Sequence, residues 1–221
     1  MLISGYNVVT LTGHFPDLDN AVGGIMEIFD LPHSRCAQSR INDVRHVFSL
    51  FPSHLQRNIR RACGGVWVWE TPWLPSYYGI VEKGMRCGNK LMDCNQAAWF
   101  NPDDCIIYMP DTMGNQVLLH EFGHLIDHAI AKDGYFYYTT SKDFHRVWKR
   151  RNPINWYAAI NPREYFAEGV TAYLLQELNG RTDDGRQVDR QGLFEKDPVL
   201  YGLIDAIFTD TELDVVYGQA A

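Results

Sequence analysis

The chain has 221 residues, enough for one domain with its own hydrophobic core. Apolar residues make up 46% and charged residues 21%, the balance of a globular protein and not of a disordered one. A formal net charge of −7 argues against nucleic acid as a partner, because phosphate binding needs a basic face, and no window has the apolar length of a membrane span.

In chain order, "YNVVTLTG" (6–13) is rich in β-branched residues and reads as a first strand. It lacks the basic n-region of a signal peptide. The expected compartment is therefore the cytoplasm, or a delivered or secreted destination if a leader has been removed. "DLDNAVGGIMEIF" (17–29) has helical spacing, weakened by its two glycines. "INDVRHVFSLF" (41–51) and "PSHLQRNIRRA" (52–62) read as helical segments broken near Pro52. "GGVWVWETP" (64–72) alternates Val and Trp and reads as a strand. "QAAWFNPDDCIIYMP" (96–110) predicts a hairpin, two β-prone runs flanking the turn sequence "NPDD". The cysteines are Cys36, Cys63, Cys87, Cys94 and Cys105, an odd number with no CxxC pair. That argues against a cysteine zinc site and a disulfide framework; Cys87 and Cys94 could pair in an oxidising compartment, but buried free thiols are expected.

The second half reads as helical. "NQVLLHEFGHLIDHAIA" (115–131) carries apolar residues at near-helical period. "TSKDFHRVWKR" (140–150) starts with Thr140 or Ser141 as N-cap, and its basic end is expected to be a solvated helix terminus. "NPREYFAEGVTAYLLQELNG" (161–180) has Asn161 as N-cap and Pro162 at the first helical position, and is expected to close on Asn-Gly. "TDDGRQVDRQG" (182–192) reads as a polar loop and "DPVLYGLIDAIF" (197–208) as a last helix. The expected fold class is α+β, a single domain over 1–221. A mixed α/β N-terminal lobe spans 1–111 and a mostly helical C-terminal lobe spans 112–221, with no linker between them.

The chemistry lies in "LLHEFGHLID" (118–127). Positions i and i+4 share a helix face, so His120 and His124 can point their imidazoles at one metal ion. Glu121 stands on the adjoining face, within reach of a zinc-activated water as general base. This is the HExxH pattern of metalloproteases. The competing reading is an ordinary helix with two half-buried histidines. Two features weigh against it. Gly123 costs about 1 kcal/mol relative to Ala inside a helix, which suggests close backbone approach. The flanking Leu118, Leu119, Phe122, Leu125 and Ile126 would bury the helix, and unpartnered imidazoles are unfavourable there. A third protein ligand is needed. The candidates are Asp127, His128, Glu164 and Glu168. His128 lies one further helical turn away, and Glu164 also fits a capping box opened by Asn161. Spacing alone leaves the choice open.

"HEFGHLID" together with "YAAINPREYFAEGVTAYL" (157–174) resembles the catalytic domain of anthrax lethal factor and the related clostridial Pro-Pro endopeptidases. The resemblance covers roughly residues 96–178. It implies a zincin-like fold, one Zn²⁺ per chain and endopeptidase activity. By position it implies His120, His124 and Glu164 as ligands, Glu121 as base and Tyr157 as hydrogen-bond donor to the oxyanion. It further implies that Glu168 and Asp127 orient a ligand histidine. Stretch 84–95 and loop 182–192 have no counterpart in the family pattern. A protein or peptide substrate is expected to lie extended along an edge strand. The expected edge is "CIIYMP" (105–110), with Ile106, Tyr108 and Trp99 as contacts and Tyr135 and Tyr137 as further groove candidates. Two other readings compete. One is a catalytically silent binding module of the same fold, such as a toxin or virion component. The other is a zinc hydrolase acting on a non-peptide bond. Base, ligands and tyrosine all being present weighs against the silent module.

Overall fold

The computed structural model describes residues 8–10, 38–62, 65–69, 71–72, 74–87, 89–131, 137–178 and 188–209. The helix expected over 17–29, together with Cys36, Cys63 and Tyr135, lies outside them. The described residues form a mixed α+β fold with seven α-helices and a small sheet. Among the described residues every strand precedes residue 111, and those after it are helical or irregular.

The first part contains β1 (Val8–Thr10), α1 (Gln38–Ser49), α2 (Ser53–Ala62), β2 (Gly65–Trp69), β3 (Arg86–Cys87), β4 (Lys90–Leu91), β5 (Trp99–Asn101) and β6 (Ile106–Pro110). The main sheet has the order β1-β2-β6-β5. β2 and β6 run parallel, while β1 and β5 are antiparallel to their neighbours. The predicted hairpin is β5–β6, with Phe100 opposite Ile107. Its turn closes through Cys105, at a φ of 57°, with Asn101 and Asp104 side chains accepting the amides of Asp103 and Ile106. Asn and Asp favour such tight local bonds, which is why "NPDD" was readable as a turn.

The edge expected at 105–110 is corrected. β6 pairs with β2 on one side and β5 on the other, so it is internal, and among the described residues β5 forms one edge of the sheet and β1 the other. Burial agrees. β6 is buried over most of its length, as a strand covered on both faces must be, whereas β5 is short and half-buried. β3 and β4 form a separate exposed hairpin. Asp93 anchors its base by accepting the amides of Ser76 and Gly84 at 3.0 and 2.8 Å. The buried-thiol expectation also changes. Cys87, on this hairpin, is exposed, while Cys94 and Cys105 are half-buried, and all three are free.

The helical part contains α3 (Asn115–Ala129), α4 (Lys142–Lys149), α5 (Pro162–Leu174), α6 (Arg190–Lys196) and α7 (Pro198–Thr209). Ser141 caps α4 by accepting the Phe144 amide, and the basic residues that follow α4 are exposed. α5 ends earlier than expected, passing into a 3-10 turn at Leu175–Glu177. The polar loop over 182–192 is shortened by α6. Asp189 caps it through the Gly192 amide, and Leu193 anchors it in the core. A seven-residue helix with one buried side chain leaves too weak a periodic signal to be seen in sequence. Asp197 is buried and ties three segments together. It accepts the Leu200 amide at the start of α7, the Tyr165 hydroxyl from α5 and the Asn152 amide.

α3 is the central element. It packs against α1, α2, α5, β5 and β6. Leu118, Leu119, Phe122, Leu125 and Ile126 are all buried, as the helical pattern predicted. Phe122 sits between Phe51 and Phe48, at ring separations of 5.5 and 6.2 Å. Gly123 meets Ala167 of α5 so closely that an added Cβ would lie 2.8 Å from its Cα. No described helix is long and apolar enough to cross a membrane.

Candidate metal centre

The helical period of α3 puts His120 and His124 side by side, their ring centroids 4.8 Å apart. Glu164 enters from the first turn of α5. Its Oε2 lies 3.0 Å from His120 Nε2 and 3.3 Å from His124 Nε2. The three ligand-type atoms lie within 4.8 Å of one another, and the group could hold a metal ion. A tetrahedral ion with bonds of about 2.0–2.1 Å separates its ligand atoms by roughly 3.3 Å, so the arrangement fits one. Glu164 does not fold back as a reciprocal cap, because its carboxylate faces the imidazoles. The capping is done by Asn161, whose Oδ1 accepts the amides of Arg163 and Glu164 at 2.9 and 3.0 Å.

Glu168, one turn along α5, lies 3.0 Å from His120 Nδ1 through Oε1 and accepts from Asn155 through Oε2. A proton on Nδ1 leaves the Nε2 lone pair of a neutral His120 free for a metal, the tautomer that a ligand histidine needs. Charge points the same way. Burial disfavours a charged His120, yet the bonds to Glu164 and Glu168, aided by Glu121, raise its pKa to about 10. Burial likewise opposes the charge on Glu164, but both histidines hold its carboxyl well below the usual range. Positive charge is thus favoured among these carboxylates, and a metal ion held by His120, His124 and Glu164 could supply it in place of the proton.

Glu121 is buried, and its Oε2 accepts the Phe100 amide of edge strand β5 at 2.8 Å. Glu121 is thus pinned between α3 and strand β5. Tyr157 approaches from the irregular segment before α5, its ring 5.6 Å from that of His120. Burial and the charges of Glu164, Glu121 and Glu168 push its pKa upward, and its hydroxyl is bonded to Glu164. It therefore stays a phenol and can donate a hydrogen bond.

Asp127 hydrogen-bonds neither His120 nor His124. Its two carboxylate oxygens accept the Thr139 amide and hydroxyl at 2.8 and 2.7 Å, pinning the 3-10 turn at Tyr138–Thr140. A fully buried carboxylate needs donors, and Thr139 supplies two. Burial still raises its pKa to about 6. His128 faces Cys105 at 3.7 Å and the rings of Phe100 and Tyr137, apart from the cluster.

Two cavities, of about 480 and 150 Å³, share Lys90, Ala98, Glu121 and Tyr157. Trp99 and Tyr137 line the smaller one. Ile106 and Tyr108 line neither. Ile106 sits in the sheet between Gly65 and Asn101, and Tyr108 stacks on Trp99 with its hydroxyl on Asp104. Sequence reasoning passed over Asn155, which holds Glu168, and Lys90, whose Nζ lies 3.3 Å from Ala98 O. Neither stands in a recognisable spacing, so only tertiary packing reveals them.

The cap at Asn161 offers a mild test of how α5 positions Glu164. Asn161→Ala is expected to lower stability by about 1 kcal/mol, the usual cost of losing an N-cap. Metal titration should show weaker binding in parallel, because the first turn that carries Glu164 frays. An unfolding curve and metal affinity both matching wild type would show that the cap does not hold the ligand turn.

In comparisons with known proteins, no family model matches the chain and no curated protein matches it.

Proposed function

We propose that this protein is a zinc-dependent endopeptidase with a zincin-like fold, of the lethal-factor type. The observation that carries the reading is the meeting of His120 and His124 from α3 with Glu164 from α5, beside a buried Glu121 and a protonated Tyr157. Two nitrogens and a carboxylate oxygen form the donor set of an open hydrolytic zinc site. Bound zinc would supply Lewis acidity, polarising a carbonyl and acidifying water. Glu121 takes the proton of the attacking water and later passes it to the leaving nitrogen. Tyr157 donates its hydroxyl hydrogen bond to the developing oxyanion. Glu168 keeps His120 in its ligand tautomer, and Asn155 keeps Glu168 in place.

A polypeptide substrate is favoured by the shape of the site. Both cavities are lined by Glu121 and Tyr157, and space beyond a single small pocket suits a bond inside a chain. Edge strand β5 offers its backbone to an extended peptide. Its Phe100 amide is taken by Glu121, and Ala98 O is held by the exposed Lys90 amine, which a peptide amide can displace.

Elemental analysis of the purified protein is expected to find one zinc per chain. A proteome-derived peptide library should be cut, cleavage should stop on chelation, and added zinc should restore it. A protein that neither carries zinc nor takes it up on titration would refute the proposal.

A further inference from the structure

We infer that the smaller cavity is an anion-recognising subsite in which Arg163, with Lys90, reads an acidic side chain of the substrate next to the scissile bond. The inference rests on the peptidase reading for the nature of its substrate. The cavity, of about 150 Å³, admits one short side chain. Its basic and acidic lining consists of Lys90, Arg163, Glu121 and Glu164, with the His124 imidazole beside them.

The two carboxylates are already engaged. Glu164 faces both imidazoles, and Glu121 holds the Phe100 amide. Nearby Asp127 directs both its oxygens to Thr139. The cations are not neutralised in the same way. The Arg163 guanidinium lies 4.9 Å from the centre of the Tyr137 ring and is bonded to the Tyr137 hydroxyl. Among the described residues it forms no ion pair. An aromatic face positions a guanidinium without cancelling its charge, so most of its five donors remain for a ligand. Lys90 offers its amine to a neutral carbonyl, Ala98 O.

Backbone geometry adds to this. Arg163 stands in the first turn of α5, at the positive end of the helix. The amides of Arg163 and Glu164 are already capped by Asn161, so recognition falls to the side chain. A planar fork of N–H donors beside a short cavity matches a carboxylate, which it can bind in bidentate fashion. An amide of the same shape lacks the charge, and a lysine would be repelled.

The test uses the protein as purified, with Arg163→Gln, Arg163→Glu and Arg163→Lys variants. Arg163 is exposed, so these changes leave the core intact. The first readout is the Trp99 indole N–H resonance, titrated with N-acetyl-aspartate N-methylamide and with its asparagine counterpart. Wild type is expected to bind the aspartate probe about tenfold more tightly, the usual gain of a charge-assisted hydrogen bond. Arg163→Gln should abolish the difference and Arg163→Lys should recover part of it. Equal binding of the two probes, or a preference that survives Arg163→Gln, overturns the subsite. The second readout is the cleavage profile on a peptide library. Wild type should favour Asp or Glu at one position beside the cut, and Arg163→Glu should shift that position toward Lys or Arg. Cut sites without acidic enrichment overturn the inference. If wild type cuts nothing while the aspartate probe binds through Arg163, the peptidase reading fails and the anion subsite stands.

Discussion

Glu121→Gln is expected to lower peptide cleavage by a factor on the order of 10²–10⁴, the range that general acid–base catalysis contributes, while leaving fold and metal in place. The reason lies in the two tasks of this side chain. Its structural task is to accept the Phe100 amide, which pins α3 against the sheet edge. A glutamine carbonyl still accepts that bond, so the helix and the edge strand stay in register. The chemical task proposed for it is to take a proton from water, and an amide cannot do so at neutral pH. Neither the two imidazoles nor Glu164 is altered, so metal content should match wild type. Cleavage kinetics, elemental analysis and a thermal unfolding curve on the same preparation check all three. Undiminished cleavage would remove Glu121 from the reaction, and loss of metal or fold would show that its structural task had been underestimated.

Gly123→Ala is expected to damage both the fold and the metal site, although it adds one methyl group and favours helix. Ala gains about 1 kcal/mol in helix propensity over Gly. Against this, the new Cβ would sit 2.8 Å from the Cα of Ala167 and 3.2 Å from its carbonyl oxygen. Backbone of a packed helix cannot swing aside as a side-chain tip can. Overpacking of this kind typically costs about 1–3 kcal/mol, so the balance should fall on the destabilising side. The helices that must separate are also those that divide the candidate ligands, with His120 and His124 on α3 and Glu164 on α5. Metal affinity should therefore fall about tenfold or more, since bonds of about 2 Å tolerate little displacement. Gly169→Ala is the matched control. There the added Cβ meets Cδ2 and Cγ of the buried Leu200 side chain on α7, at 2.8 and 3.0 Å, so its strain falls on side-chain packing against α7 and not on the backbone contact with Ala167. Unfolding of the chelated proteins and calorimetric zinc titration separate the effects. A Gly123→Ala protein as stable and as zinc-avid as wild type would show that the close α3–α5 approach is unnecessary.

What could be read from the chain alone was what depends on neighbours within a few residues. The pairing of His120 with His124 follows from helical period. The α5 start at Asn161-Pro162, the α4 cap at Ser141 and the β5–β6 turn at "NPDD" follow from local hydrogen bonding. Gly123 signalled a close approach because glycine in a helix needs a compensating reason, and Ala167 supplies it. The tertiary structure decided which surfaces those elements meet. Period places Glu164 and Glu168 on one face of α5, but only the packing of α5 on α3 turns Glu164 to both Nε2 atoms and Glu168 to Nδ1. Asp127 stood in a suggestive position beside the motif, and a turn twelve residues later claimed its carboxylate. Among the described strands β5 lies at an edge and β6 does not, because strand order is set by the long-range pairing of β6 with β2. Lys90 and Arg163 reach one small cavity from a hairpin and a helix 73 residues apart in numbering (163 − 90). Local periodicity fixes the face a residue occupies. The burial of one element against another fixes what that face touches, and a single sequence carries no local sign of it.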